Sequence, residues 1–330
     1  MPSFAQIETQ IERAPAENIA GPALTQLQGT ALMLLAALGW GAGNVSQKLI
    51  LEHLDPLSAT GLTCLVGAVL LLPMARRETK RQLPPFKGAM KGLLLVGSIF
   101  TFAATLMQFA YGHTTVTNAG FLVNMAAVLT PILAWIAYRK RPAFWIWPAS
   151  FCSLAGAMMM GGGGISALAL GDILAVASAL CFSVLTLVVF WFVIKYRRPA
   201  LMTVAQLFIC GASCIVVGAL VYGLPTASSI WAAMPEILII GLVSKGAAYF
   251  LIAVAQAHVH PTTAAVLVSA ESIFGAMAAG LFLGESPGSI QVVGGSFIIL
   301  GVTIAAIIPA EKQTNASKPV FGAREAGIDC

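Results

Sequence analysis

The sequence predicts an all-α membrane protein with ten transmembrane helices, arranged as two inverted five-helix repeats. Of its 330 residues, 58% are hydrophobic and only 9% are charged, whereas a soluble domain carries about 25% charged residues. Long apolar runs follow one another along the chain, and the pattern of the first half returns in the second half. Such a chain cannot cover itself with a hydrated surface, so we expect a polytopic membrane protein.

Each predicted span is an apolar run of about 20 residues, the length that crosses a bilayer as a helix. In chain order the runs are 28–50, 57–75, 89–111, 116–138, 143–162, 169–194, 200–222, 236–257, 262–283 and 288–309. The remaining segments are polar or glycine-rich. The chain therefore divides into a tail at 1–27, a first repeat at 28–163, a second repeat at 164–309 and a tail at 310–330.

The repeat is visible as an ungapped correspondence between the two halves. His113 and His258 are 145 positions apart, as are Pro142 and Pro287, and "VTNAGFLVNMAAVLTPILAWIAYRKRP" aligns with "PTTAAVLVSAESIFGAMAAGLFLGESP". Because each half has five spans, an odd number, the second half must enter the membrane upside down. Inverted repeats of this kind are typical of secondary transporters, with the binding site near the midplane where the halves meet.

The basic residues fix the orientation. Sixteen of the eighteen Lys and Arg residues fall in the loops around 76–91, 139–141 and 195–198 or in the two tails, all on one side of the predicted topology. Only Lys48 falls on the other side, and Lys245 lies within a span. Cytoplasmic loops carry the excess of basic residues, so we expect both termini in the cytoplasm and the chain in the inner (cytoplasmic) membrane. The same distribution accounts for the net charge of +5 without nucleic-acid binding.

Two ionisable residues lie deep in predicted spans, Lys245 in the eighth and Glu271 in the ninth. Both are 12 to 14 residues from the turn that joins these spans, so at 1.5 Å per residue their depths differ by only about 4 Å. One interpretation is a neutralised pair that aligns two helices. A second is that one or both line a cavity, where Lys245 attracts a substrate carboxylate and Glu271 takes up protons. A third is that Lys245 bonds to carbonyl groups elsewhere. Intramembrane charges are costly and mark functional sites.

Uncharged polar residues form stripes on several spans. They are Trp40 and Asn44 on the first, Gln108 on the third, Asn124 on the fourth and Tyr249 on the eighth, one turn from Lys245. Hydrogen bonds between helices are one use for such residues, and a wet central path is the other. With Lys245 and Glu271, these five residues are the predicted substrate site. The sequence offers no clustered catalytic residues, no metal-ligand spacing among its six Cys and four His, and no cofactor motif.

Two motifs resemble those of the drug/metabolite transporter superfamily, specifically the ten-helix EamA-type permeases. The first is "WGAGNVSQK", with Trp40, Gly41 and Lys48, and the second is "ESIFGAMAAGLFLGESP", with Glu271, Gly284 and Glu285. The resemblance covers about residues 30–309. It departs from the family at Ser272, where a proline is usual, and in the "YRKRP" loop of the first half. It implies a permease, often an exporter, with a central cavity lined by spans 1, 3, 4, 6, 8 and 9.

We therefore expect a secondary active or facilitative transporter, an exporter of small organic solutes such as amino acids or related metabolites, working by alternating access. Its partners are a small-molecule substrate and the lipid bilayer, with protons as a further candidate. Monomer and homodimer both remain open. The alternatives are a multi-pass scaffold without transport and a membrane-embedded enzyme. The enzyme is disfavoured because the deep spans offer one Lys, one Glu and no His cluster.

Overall fold

A computed structural model describes residues 26–80, 89–139, 141–160, 169–283 and 288–307, and the regular elements of these segments are helices. A 3₁₀ turn at Ile50–Glu52 follows the first helix, and a short helix at Ala227–Ala232 precedes the eighth span. We number the other helices by the predicted span they occupy. They are α1 (Gln26–Leu49), α2 (Pro56–Thr79), α3 (Ala89–His113), α4a (Val116–Val123), α4b (Ala126–Tyr138), α5 (Ile146–Met160), α6 (Leu170–Tyr196), α7 (Pro199–Val221), α8 (Met234–Ala255), α9a (Pro261–Val268), α9b (Glu271–Leu283) and α10 (Ser289–Ile307). The predicted tails fall almost entirely outside the described residues.

Within the described residues, eight helical segments are long and apolar enough to cross a membrane. The two predicted spans outside this set are α1 and α5. The 24 residues of α1 are long enough, but they carry Trp40, Asn44, Gln47 and Lys48 and are less apolar. The 15 residues of α5 would extend only about 23 Å against a hydrocarbon core of about 30 Å. The chain is thus a multi-pass, all-α membrane protein.

The fourth and ninth spans are broken, whereas the sequence predicts each as one continuous helix. The breaks lie at Asn124–Met125 and Ser269–Ala270, 145 positions apart. The ends of α4a and α9a are also 145 positions apart, as are those of α4b and α9b. Side chains compete with the helical ladder at both places. The Asn124 amide donates to the Gly120 carbonyl at 2.8 Å, and the Ser269 hydroxyl donates to the Val266 carbonyl at 2.6 Å.

The eighth span also departs from a plain α-helix. Residues Ile239–Ala248 form a π-helix, with α-helical turns before and after it. The segment packs closely on α2, where a side chain on Gly67 would meet the Gly241 carbonyl and the Gly246 amide. π-Helical turns are rare and frequently mark functional sites. Lys245 lies within this segment.

Helix packing joins the two halves along most of the bundle. α2 packs on α7, α5 on α10, α3 on α6, and α8 on α1. The broken spans pack on the first helix of the opposite half, α4b on α6 and α9b on α1. Glycines allow α5 and α10 to cross closely, because Gly156 in α5 and Gly294 in α10 each lie against the other's carbonyl. Small residues allow membrane helices to approach in this way.

Several helices begin at residues suited to that position. α2 starts with Pro56 after Asp55, whose carboxylate accepts from the amides of Leu57 and Ser58 at 3.0 and 2.9 Å. The first amides of α7 are capped from a distance, since Glu78 near the end of α2 accepts from Ala200 and Leu201 at 3.0 and 2.9 Å. These contacts satisfy amide groups that have no partner within their own helix.

The start of α9a predicts a pH dependence of stability. Burial lowers the pKa of His260, which caps this helix, to about 4, against about 6.5 in an unfolded chain. The unfolded chain therefore binds more protons between these values, and stability should fall as the pH drops from 7 towards 4. We expect the melting temperature in detergent to be about 2–4 °C lower at pH 5 than at pH 7.5 from this group.

The control is His260→Asn, which keeps a capping acceptor but does not titrate. Its melting temperature should depend less on pH than that of the unmodified chain, although burial also lowers the pKa of His258 and leaves a residual slope. An equal slope in both proteins would contradict the assignment.

Candidate functional site

A cavity of about 110 Å³ lies at the centre of the bundle. Its walls come from α1, α3, α4a, α4b, α6, α8, α9a and α9b. These are the spans that the resemblance implies, 1, 3, 4, 6, 8 and 9. Most lining side chains are buried. Six of the seven predicted site residues line this cavity, namely Trp40, Asn44, Asn124, Lys245, Tyr249 and Glu271.

Lys245 reaches the cavity from the π-helix of α8. Its Nζ lies 5.7 Å from the ring centroid of Phe100 and 5.8 Å from that of Tyr249. Attraction to aromatic faces partly offsets the desolvation of an ammonium group. Within the described residues, Lys245 has no hydrogen-bond or ion-pair partner. The Lys245 ammonium therefore lies against two aromatic rings at the cavity wall.

Glu271 is the first residue of α9b, so the helix break places its carboxylate at the cavity wall. It is 8% exposed. The structure has no ion-pair contact between Glu271 and Lys245 in the segments it describes, although both line the same cavity. This geometry favours the cavity interpretation over the neutralised pair. One cation and one carboxylate face a common space, an arrangement that could bind a solute carrying both charges.

The wall formed by α1 carries a hydrogen-bonded network. The Trp40 indole donates to the Ser244 carbonyl at 3.0 Å, and its ring meets Tyr249 edge-on with centroids 4.8 Å apart. One turn further along α1, the side-chain Oδ1 of Asn44 accepts from the Tyr111 hydroxyl at 3.1 Å and from the side-chain Nε2 of Gln47 at 3.4 Å. These bonds hold polar groups at the cavity surface in fixed positions.

Gln108 is the predicted site residue that the structure does not bring to the cavity. It is buried, and its amide donates to the Gln47 carbonyl at 2.8 Å. Its side chain thus joins α3 to α1, which is the interhelical role that the sequence left open for such residues. Tyr111, which lies one turn further along the same face of α3, does line the cavity.

Asn124 connects the two broken spans. Its amide donates to the Ser272 hydroxyl at 2.6 Å, in the turn that also carries Glu271. Ser272 occupies the position where the resembled family usually has a proline, and the break in this span lies two residues earlier without one. The bond links the halves at their breaks and positions the first turn of α9b.

We expect a measurable energetic coupling between Asn124 and Ser272. Asn124→Leu and Ser272→Ala should each lower the melting temperature in detergent, and the double variant should be less impaired than the sum of the two. The expected coupling is about 1 kcal/mol, the contribution of a typical hydrogen bond. Strict additivity would show that the bond contributes nothing.

The family profile of the EamA-like transporters matches the chain twice, at residues 27–162 and 169–307. The chain belongs to the EamA-like transporter family. Its relatives within curated proteins carry the same kind of name. An "Uncharacterized transporter" of Clostridium kluyveri is 25% identical over 89% of this chain and 97% of its own length. The "Uncharacterized transporter YwfM" of Bacillus subtilis is 24% identical over 86% and 95%. The chain is therefore a membrane transporter.

The fold agrees with a solved structure. One crystal structure has a TM-score of 0.66 with 17% sequence identity, covering 84% of this chain and 96% of that chain. At this identity the likeness concerns the fold alone. As an EamA-like transporter, the chain shares its architecture with proteins whose sequences have largely diverged.

The EamA-like motif residues have distinct surroundings. Gly41 lies against the backbone of Glu271 and Gly275, and Lys48 bonds to carbonyls at the end of α3 and is absent from the cavity lining. Gly284 and Glu285 lie outside the described residues. Within those residues, no group of three or more His, Cys, Asp or Glu is arranged to hold a metal ion.

Sequence reasoning missed several polar residues of the cavity wall. Gln47 lies one turn from Asn44, and Tyr111 one turn from Gln108, so extending each stripe by a turn would have found both. Ser244 could not be found in this way. It takes part through its backbone carbonyl, which lies in the π-helix and accepts from the Trp40 indole, and the sequence has no evident signal for a π-helix.

Proposed function

We propose that this EamA-like transporter exports small organic solutes such as amino acids or related metabolites, by alternating access between two inverted five-helix halves at 28–163 and 164–309. The observation that carries the proposal is the pair of opposite charges, Lys245 and Glu271, facing one buried cavity without an ion-pair contact. An amino acid carries a carboxylate for Lys245 and an ammonium for Glu271. Hydrogen-bonding groups on α1 and aromatic rings complete the surface.

The inverted halves are supported by three independent features. The helix breaks and the ends of both broken spans recur at a spacing of 145 residues. Equivalent helices of the two halves also make equivalent contacts. The third helix of the first half, α3, packs on α6, and the third helix of the second half, α8, packs on α1. The family profile also matches each half separately. In this proposal α1 and α5 cross the membrane together with the eight segments that are both long and apolar enough to do so. The basic loops and both termini face the cytoplasm.

Alternating access follows from that symmetry. If the two halves exchange conformations, the route to a central cavity passes from one membrane face to the other. Glu271 is the carboxylate in the cavity, and it provides a site for proton coupling. The chain itself offers no nucleotide-hydrolysing motif, so the proposed driving force is a gradient of substrate or protons.

The test is flux in proteoliposomes with a panel of labelled amino acids and metabolites. We expect saturable flux of at least one zwitterionic solute above that of empty liposomes. Runs with and without a pH gradient decide whether protons are coupled. The matched control is liposomes containing Lys245→Met. No flux for any compound from folded protein would refute the proposal.

A further inference from the structure

Three helices are tied together by polar contacts at one end of the cavity. The Lys48 ammonium, at the end of α1, donates to the carbonyl of Tyr111 and, at 3.2 Å, to that of Thr114. Both carbonyls belong to the last turn of α3 and the residue after it. Carbonyls at a helix C-terminus lack partners in their own helix and carry partial negative charge. Lys48 therefore caps α3 and binds it to α1.

The start of α6 joins the same contact. The Thr114 hydroxyl donates to the Asp172 carboxylate at 2.8 Å, in the first turn of α6. Gly171, next to it, lies so close to the carbonyl of His113 that a Cβ there would overlap the backbone. We call Lys48, Thr114 and Asp172 the polar latch. Just beneath it, towards the cavity, the Tyr111 hydroxyl bonds to Asn44.

The opposite end of the cavity has a corresponding contact between a helix start and a loop. A Cβ on Gly29 of α1 would meet the side chains of Val259 and His258, whereas a Cβ on Gly171 of α6 would meet the backbone of His113 and the Cβ of Thr114. The equivalent loop residues of the two ends are 145 positions apart in the sequence, and the two glycines are 142 positions apart. Both ends are therefore built from a helix start that docks on the loop after the third helix of the other half.

The side chains at the two ends differ. Thr114 corresponds to Val259, and Gln108 to Ala253, neither of which has a side-chain donor or acceptor. Val259 instead packs in an apolar cluster with Met33 and other buried side chains of α1, α8 and α9a. The latch end therefore has charge-assisted hydrogen bonds in addition to an apolar cluster of Met107, Tyr111 and Ala119. At the opposite end, Val259 makes apolar contacts, and the bond from the Gln256 side chain to the Thr186 carbonyl is between uncharged groups.

We propose that Lys48 is a positioning residue that latches the cavity shut at the end where α1, α3 and α6 meet. This inference rests on the proposed alternating access. Closure of this end is set by the ammonium–carbonyl bonds of Lys48, because hydrogen bonds to a charged group are stronger than neutral ones. The other end has no counterpart of the Lys48 bonds at Val259, whose described contacts are apolar. Loss of the Lys48 charge therefore opens one end and leaves the other unchanged.

The experiment measures access to the cavity from each side of the membrane. Met107→Cys is the reporter, since Met107 lines the cavity one turn from Tyr111, and its labelling by a membrane-impermeant thiol reagent is quantified by mass spectrometry. Adding Lys48→Met, which keeps the length of the side chain, should raise the labelling rate about 10-fold. The increase should occur only from the side on which α1 ends.

Three further variants define the effect. Lys48→Arg keeps a charged donor and should restore slow labelling. Lys195→Met removes a lysine from the end of α6, where it lies over the rings of Trp191 and Tyr196, and should leave labelling unchanged. Thr114→Val, which installs the residue of the opposite end, should give an intermediate increase. This milder change keeps the test available where Lys48→Met fails to fold.

Labelling needs no substrate, so the latch and the transport proposal fail in different ways. Unchanged labelling in folded Lys48→Met, or an equal increase from both sides, would overturn the latch even where flux is observed. A Lys48-dependent increase from one side in a chain that moves no solute would refute transport and leave the latch standing.

Discussion

Replacing Lys245 with methionine should reduce transport roughly 50-fold while the folded protein is retained in near-normal yield. Methionine keeps the length of the side chain and packs well on aromatic rings, so the contacts with Phe100 and Tyr249 persist and only the charge is lost. Removing a buried charge that meets an opposite charge costs about 2–5 kcal/mol. The measurement is initial flux in proteoliposomes at equal amounts of folded protein.

The double variant with Glu271→Gln distinguishes the two interpretations of this pair. Because the two residues line one cavity without an ion-pair contact, Lys245→Met with Glu271→Gln should be at least as impaired as Lys245→Met. A neutralised pair would instead leave one buried charge uncompensated in the single variant, and the second change would relieve it. Recovery of flux in the double variant would show that the residues pair during function.

Replacing Gly41 with valine should abolish transport and destabilise the fold by about 3 kcal/mol. A Cβ at this position would overlap the Glu271 carbonyl and the Gly275 amide, and backbone atoms cannot rotate away as a flexible side chain can. α1 and α9b would have to separate, which costs energy in a packed interior and displaces Glu271 from the cavity wall. A lowered melting temperature in detergent and loss of flux would report both effects.

Gly295→Val is the matched control for Gly41→Val. Gly295 lies in α10, where no atom approaches the position of an added Cβ within 4 Å. The same substitution there should leave both melting temperature and flux close to those of the unmodified chain. A Gly41→Val protein that melts normally would contradict the close contact between α1 and α9b.

Much of the arrangement of the candidate site could be predicted because it follows from the spacing of residues along each helix. Counting residues back from one turn placed Lys245 and Glu271 at nearly the same depth, and helical spacing placed Trp40 and Asn44 on one face. The 145-residue correspondence related the fourth span to the ninth. These inferences use only rise per residue and periodicity, and the cavity lining agrees with them for six of seven residues.

The remaining features depend on contacts that periodicity cannot reveal. Gln108 lies on a polar stripe of α3, but at this position the stripe faces α1. It reaches the cavity one turn later, at Tyr111. At the helix breaks, Asn124 and Ser269 form hydrogen bonds to carbonyls of their own helices. Other residues form bonds of the same kind within unbroken helices, so the sequence does not reveal where a break occurs. The count of ten spans depends on α1 and α5, whose polar content and short length set them apart from the other apolar segments.

The contrast between the polar latch and the apolar cluster around Val259 has a thermodynamic consequence. Exposing apolar surface raises the heat capacity by about 0.45 cal/K/mol per Å², whereas exposing polar surface lowers it by about 0.26. Opening the latch end exposes more polar surface, so its heat-capacity change should be smaller than that of opening the end around Val259. In the proposed alternating-access cycle, the balance between the two open states would then shift with temperature along a curve.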